Sequence, residues 1–297
     1  MRPFTRFPAP RGMPDVPVPG LPPLLRAAAM EALALTGHLL LYPTGVREET
    51  LPPMPAPVPV PVPANAPAPP GTRTATPLPT EGRTPPPVLL LHGFCDNRSA
   101  FVLLRRALLR DGWRHVYAPN HSVLTSDVRA AAVRLGSRVE EVVARTGHAR
   151  VDLVGHSLGG LIARYYVQRL GGDARVRTVI TLGTPHSGTR VIPALPPHPV
   201  ARQMRPGSPV LRELAAPVPE GCATRFVSFW SSLDPLMIPA ETARLDHSDL
   251  RVSDVHVHGV GHVALPVDCG VSARIRAELG GGSPARSEAP GVAGSVA

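Results

Sequence analysis

Val151-Asp152-Leu153-Val154-Gly155-His156-Ser157-Leu158-Gly159-Gly160 decides how this chain is read. Four apolar-rich positions end in glycine, a serine sits at the turn, and a helical pattern runs on from Leu158 to Leu170. G-x-S-x-G between a strand and a helix describes a sharp turn that holds its serine in strained backbone angles. The flanking positions must be small so that strand and helix can approach. The Ser157 hydroxyl then projects at the carboxyl edge of a sheet, and the Leu158 N–H, at a helix N-terminus, can donate to a developing oxyanion. Ser157 is therefore the candidate nucleophile.

Outward from that turn, short apolar runs alternate with helical stretches. The expected strands are 88–91, 116–118, 151–154, 176–182, 226–230 and 255–257, read as buried and parallel. The expected helices are 101–110, 126–145, 158–170 and 271–279. In the second, Val128, Ala132, Leu135, Val139, Val142 and Val143 keep helical spacing, with Arg and Glu on the opposite face. Alternation of this kind predicts an α/β fold: a mostly parallel central sheet flanked by helices. Proline-rich residues 187–222 break the rhythm and are read as a small cap or lid insertion.

The rest of the chain has a different texture. Of 39 prolines, 24 fall in residues 1–87, and residues 52–87 hold 15 in 36 positions. Proline fixes φ and lacks an N–H, so this tract is expected to be an extended linker. Four segments result: 1–50 with an apolar helix, a linker at 51–87, a catalytic domain at 88–279, and a Gly/Ser/Pro-rich tail at 280–297 expected to be disordered. Residues 21–41 are read as a helix packed on the main domain or lying on a membrane. The apolar run of about 16 residues is short for a span, which needs roughly 20. It is followed by no small-x-small cleavage site. A cytoplasmic or membrane-associated location is expected, with export left open.

Composition excludes several classes. Three cysteines exclude a disulfide scaffold, and no Gly-X-Y period exists. The net charge of +9 is carried entirely by arginine, scattered without a basic stripe, so no nucleic-acid partner is expected. Attraction to anionic lipid, and so peripheral membrane contact, stays open. Cys95, Cys222 and Cys269 lack metal-ligand spacing and are read as buried free thiols. Cys222–Cys269 is the pair to test in an exported protein.

Taken with Ser157, three further features resemble the α/β-hydrolase superfamily, and more narrowly bacterial lipases and esterases of the triacylglycerol lipase type. His92-Gly93-Phe94 follows the 88–91 run, and Gly183-Thr184-Pro185-His186-Ser187-Gly188 follows the 176–182 run. The third is an acid and a base in the order that superfamily keeps, Ser then Asp/Glu then His. The resemblance covers residues 88–279. It implies an α/β-hydrolase fold, an oxyanion hole built from the Phe94 and Leu158 N–H groups, and a small-molecule ester or lipid substrate. No cofactor or metal is required.

A serine needs a base, and the base needs an orienting carboxylate. Asp234 follows the 226–230 strand and precedes a proline turn; His262 follows the last strand through a glycine-rich loop. These are the best acid and base, with Asp246 and Asp254 as competing acids and His258 as the substitute base. His156 and His92 are read as packing and loop-orienting groups. A zinc site on His256, His258 and His262 lacks a matching carboxylate or cysteine motif. The expected activity is lipase-like hydrolysis of carboxylic esters through an acyl-enzyme. Acyl transfer or thioester hydrolysis by the same triad, and a non-catalytic hydrolase-fold binding protein, are the alternatives.

Overall fold

The computed structural model describes residues 23–50, 84–120, 127–191, 198–218 and 221–281. The tract at 51–83 and the tail from 282 lie outside them, as do 192–197 and 219–220 in the expected cap. Six strands form one sheet: β1 Val88–Leu91, β2 Val116–Tyr117, β3 Val151–His156, β4 Val176–Leu182, β5 Arg225–Ser231 and β6 Arg251–Val257. Their order is β2-β1-β3-β4-β5-β6, and every pairing is parallel. The α/β expectation therefore holds.

The described residues also form seven α-helices: α1 Pro23–Gly45, α2 Val102–Arg110, α3 Val128–Thr146, α4 Leu158–Arg169, α5 Pro199–Gln203, α6 Pro209–Ala215 and α7 Cys269–Leu279. The strand period of two sorts the apolar side chains onto the two faces. Leu89, Leu91, Leu153, Val179 and Phe226 pack with α3 and α4. Val88, Leu90, Val154, Ile180, Val227 and Phe229 pack with α2 and α7. Both faces are covered, which is why these strands read as continuous apolar runs. Asp127 caps α3 by accepting the Arg129 N–H, and Gly147, at φ +71, ends it.

Strand order reverses between β1 and β3, which are neighbours although β2 lies between them in the chain. In open parallel sheets a crevice opens at such a point, beyond the strand carboxyl ends. The turns after these two strands are His92-Gly93-Phe94 and the Ser157 turn.

Three expectations need correction. β6 is an edge strand of seven residues, largely exposed, rather than a buried strand at 255–257. Its charged Arg251 and Asp254 suit an edge, where free backbone groups invite unwanted pairing. The N-terminal helix runs past Tyr42-Pro43 to Gly45, because a proline near a helix end removes only one of the last bonds. Residues 24–45 are thus long and apolar enough to cross a membrane by length and composition. The thiols are all free, but Cys95 and Cys269 are exposed and Cys222 half-buried. Cys222 pairs with Asp173 at 3.2 Å rather than with Cys269.

Candidate active site

Ser157 sits between β3 and α4 at φ +52 and ψ −118. No other described non-glycine residue except Cys95 has positive φ. A non-glycine residue in that region is costly and persists only where its surroundings enforce it. Here they do. A Cβ at Gly155 would lie 2.5 Å from the Gly160 nitrogen, and one at Gly159 would collide with the Leu91 carbonyl oxygen. The Ser157 N–H donates to Leu182 O at 2.9 Å, and its carbonyl accepts from Thr184 Oγ at 3.0 Å. Thr184 belongs to the Gly183–Gly188 run, so that run braces the turn. A Cβ on Gly160 would strike the same threonine hydroxyl.

Leu158 begins α4, so its N–H is among those a helix leaves without an intrahelical partner. Gly93 lies against the turn: a Cβ there would come within 3.3 Å of Ser157 Cβ. Phe94 follows it, its ring 5.3 Å from that of His198. His92 is buried with Nδ1 2.9 Å from Gly93 O, and burial lowers its pKa to about 4. It is neutral at pH 7 and donates to that carbonyl, as a loop-orienting role requires.

The structure brings Asp234 and His262 together. Both are buried, and Asp234 Oδ2 lies 2.7 Å from His262 Nδ1. The other carboxylate oxygen accepts the Leu236 and Met237 N–H groups at 2.9 and 3.1 Å, so the acid is held in the proline turn after β5. With Nδ1 engaged, Nε2 is the nitrogen left for proton transfer. Gly183, at φ +53, makes room for the pair: a Cβ would lie 2.8 Å from Asp234 Oδ2 and 3.0 Å from His262 Nδ1. Ser157 and His262 line one cavity of about 540 Å³.

His156 packs its ring 4.7 Å from the His262 ring, and its Nε2 lies 3.1 Å from the His262 carbonyl oxygen. A carbonyl only accepts, so Nε2 carries the proton. Burial pushes the His156 pKa well below its usual value, keeping it neutral. His186 is likewise buried, beside Thr181 Oγ at 3.0 Å. The competing groups sit elsewhere. Asp254 meets Arg244 on β6, Asp246 is exposed, and His258 packs edge-on against His256, which stacks on Trp230.

Sequence reasoning passed over α1 as a component of the site. Met30, Leu33, Ala34, His38 and Leu41 line the same cavity as Ser157. Glu31 accepts the Val263 and Ala264 N–H groups at 2.7 and 3.0 Å. His38 pairs with Asp96 at 3.2 Å, and Asn97 Nδ2 donates to Tyr42 O at 2.9 Å. The available signal was a lone carboxylate inside an apolar helix, which demands a partner once it is taken from water.

A family model for the alpha/beta hydrolase fold matches residues 86–211. A triacylglycerol lipase of Pseudarthrobacter phenanthrenivorans is 36% identical over 110 residues, 35% of this chain and 34% of that protein. The chain spans about a third of the length of the curated relatives it matches. Among solved structures, lipase B of Aspergillus fumigatus is 17% identical with a TM-score of 0.57, covering 80% of this chain and 64% of that one. A Bacillus licheniformis lipase in its mature form is 16% identical with a TM-score of 0.56, covering 66% and 92%. At such identities the likeness to solved structures is one of fold.

Proposed function

We propose that this chain, whose residues 86–211 match a family model for the alpha/beta hydrolase fold, hydrolyses lipophilic carboxylic esters by serine chemistry. The observation that carries the reading is the buried Asp234–His262 contact of 2.7 Å in a cavity shared with Ser157. Ser157 Oγ attacks the ester carbonyl while His262 Nε2 takes its proton. Asp234 fixes the tautomer and stabilises the imidazolium. The Phe94 and Leu158 N–H groups receive the oxyanion. His262 then protonates the leaving alcohol, and water, activated by the same imidazole, releases the acid. In other hydrolases each such donor is worth about 3–4 kcal/mol of barrier.

The apolar lining from Met30, Leu33, Leu41, Met204 and Met237 supports an acyl chain as the buried part of the substrate. Three χ-flexible methionines adapt to chains of varied length. A peripheral contact with lipid has its own support. Leu24, Leu25, Leu39 and Leu40 are exposed on α1, while its interior ionisable groups, Glu31 and His38, turn inward to protein partners. Arg26 and Arg47 flank this face and suit anionic headgroups.

Fluorophosphonate labelling of the wild type beside Ser157→Ala, with p-nitrophenyl ester turnover from acetyl to hexadecanoyl, tests the reading. Labelling and turnover should both vanish in the variant, the latter by about 10⁴-fold or more. A folded wild type that takes no label would overturn serine hydrolysis. A rate falling steadily from acetyl to octanoyl would remove the lipophilic part alone.

A further inference from the structure

His262 is secured at more points than a triad supplies, on its ring and on its main chain. Its Nδ1 meets Asp234, and its own carbonyl accepts the His156 Nε2–H. Just downstream, the N–H groups of Val263 and Ala264 both point into the Glu31 carboxylate, one to each oxygen. Gly261, just upstream, is what lets the carboxylate in: a Cβ there would collide with Glu31 Oε2. Residues 261–264 therefore curl around one anion contributed by a helix 232 positions away. Such charge-assisted bonds are shorter and stronger than neutral ones, and two on one carboxylate fix a direction as well as a distance.

The same helix is tied at its far end to the other side of the site. His38 meets Asp96, Tyr42 O accepts from Asn97, and Gly45 O accepts the Asn120 amide at 2.8 Å. Asp96 and Asn97 follow Phe94 by two and three residues. α1 thus spans from the loop of the base to the loop of the oxyanion hole, and Glu31 is its contact at the base end.

We propose that Glu31 is a positioning residue for the base: it holds the 261–264 loop so that His262 Nε2 stays in reach of Ser157 Oγ. The inference rests on the hydrolase reading and adds to it a residue from outside the family-matched segment 86–211. Glu31 touches neither substrate nor the transferred proton. It acts through the main chain of the residues that follow the base. Loss of the clamp lets the imidazole wander, and an ångström of misplacement costs about 10²-fold in rate.

The test compares full-length wild type, Glu31→Gln and Glu31→Ala on a short soluble ester. Gln keeps the shape and one acceptor oxygen, so kcat should fall about tenfold; Ala keeps neither and should lose about a hundredfold. KM should stay within about twofold in both, since the carboxylate lies outside the acyl path. A second measurement needs no turnover. The low-field Nδ1–H proton of His262, assigned by its loss in Asp234→Asn, should persist in Glu31→Gln and broaden or vanish in Glu31→Ala. Equal kcat in all three chains with an unchanged proton signal overturns the proposal, as does an equal loss in both variants that merely tracks the melting temperature. An inactive, unlabelled wild type whose proton signal still responds to Glu31 would fail the hydrolase reading and leave the clamp standing.

Discussion

The cavity has two walls of opposite make. One is the sheet edge, where Ser157, His156, His262 and Asp234 are all less than a tenth exposed and each carries polar partners or tight neighbours. The other is α1, where Met30, Leu33, Leu35 and Leu41 are exposed and have no polar groups to satisfy. The first wall concentrates fixed dipoles away from water, where they act strongly and need no reorganisation during reaction. The second offers only apolar area, which binds a hydrocarbon without fixing where its carbons lie. On the proposed function, position-sensitive chemistry falls to the rigid wall and tolerant recognition to the soft one. Glu31 is the point where the soft wall reaches across to the rigid one.

The rigid wall is the easier to break, and Gly183→Ala is the sharpest blow. The added methyl would crowd both Asp234 Oδ2 and His262 Nδ1, at a φ of +53 that alanine avoids. One of the two side chains must move. Ester turnover should drop by about two to three orders of magnitude, roughly 3–4 kcal/mol of barrier, while the helical circular dichroism stays native. An unchanged kcat would show that the acid–base pair tolerates displacement and that the wall is less rigid than its burial suggests.

Acid should loosen the same wall in a graded way. His92, His156 and His186 have pKa values lowered by burial, His92 to about 4. Each is neutral in the fold but protonates near pH 6.5 in the unfolded chain. The unfolded state therefore binds more protons below that pH, and stability falls as pH drops through it. For His92 the loss levels off near pH 4 after about 3 kcal/mol, at 1.36 kcal/mol per unit. Asp152, raised by burial, works in the opposite sense at the acid end of the window. Urea midpoints should fall steadily from pH 7 to pH 5, and His92→Gln should flatten part of that slope. A midpoint independent of pH would mean these rings are not held neutral.

The rigid wall was also the more legible of the two in the sequence. Strand alternation, the glycines around Ser157 and the proline turn at Asp234 are local patterns, each with a local cause. Gly183 was visible only as part of a run; that its missing Cβ admits Asp234 and His262 depends on three distant strands meeting at one edge. β6 was misread as buried because Val255-His256-Val257 cannot reveal that, among the described residues, no strand pairs beyond it. α1 was foreseen as a helix, yet its end was set too early, at residue 41 rather than Gly45. Its place over the site could not be read, since nothing local ties Glu31 to a loop near residue 262. The partner of a lone carboxylate is long-range information.

The soft wall carries the smallest and most selective effect. Leu40 is 75% exposed and absent from the cavity lining. Replacing it should leave folding almost untouched, within about 0.5 kcal/mol, because the fold takes almost no area from it. If α1 rests on lipid, half-burying that leucine there contributes roughly 1.4 kcal/mol, which is tenfold in partitioning. Leu40→Gln should therefore float about tenfold less with vesicles of one part phosphatidylserine to three of phosphatidylcholine. Its turnover of a short soluble ester should match the wild type. Equal flotation would place the lipid contact elsewhere or nowhere. A fall in soluble-ester turnover would sink the division itself, since a residue of α1 outside the cavity would then be setting the geometry of the rigid wall.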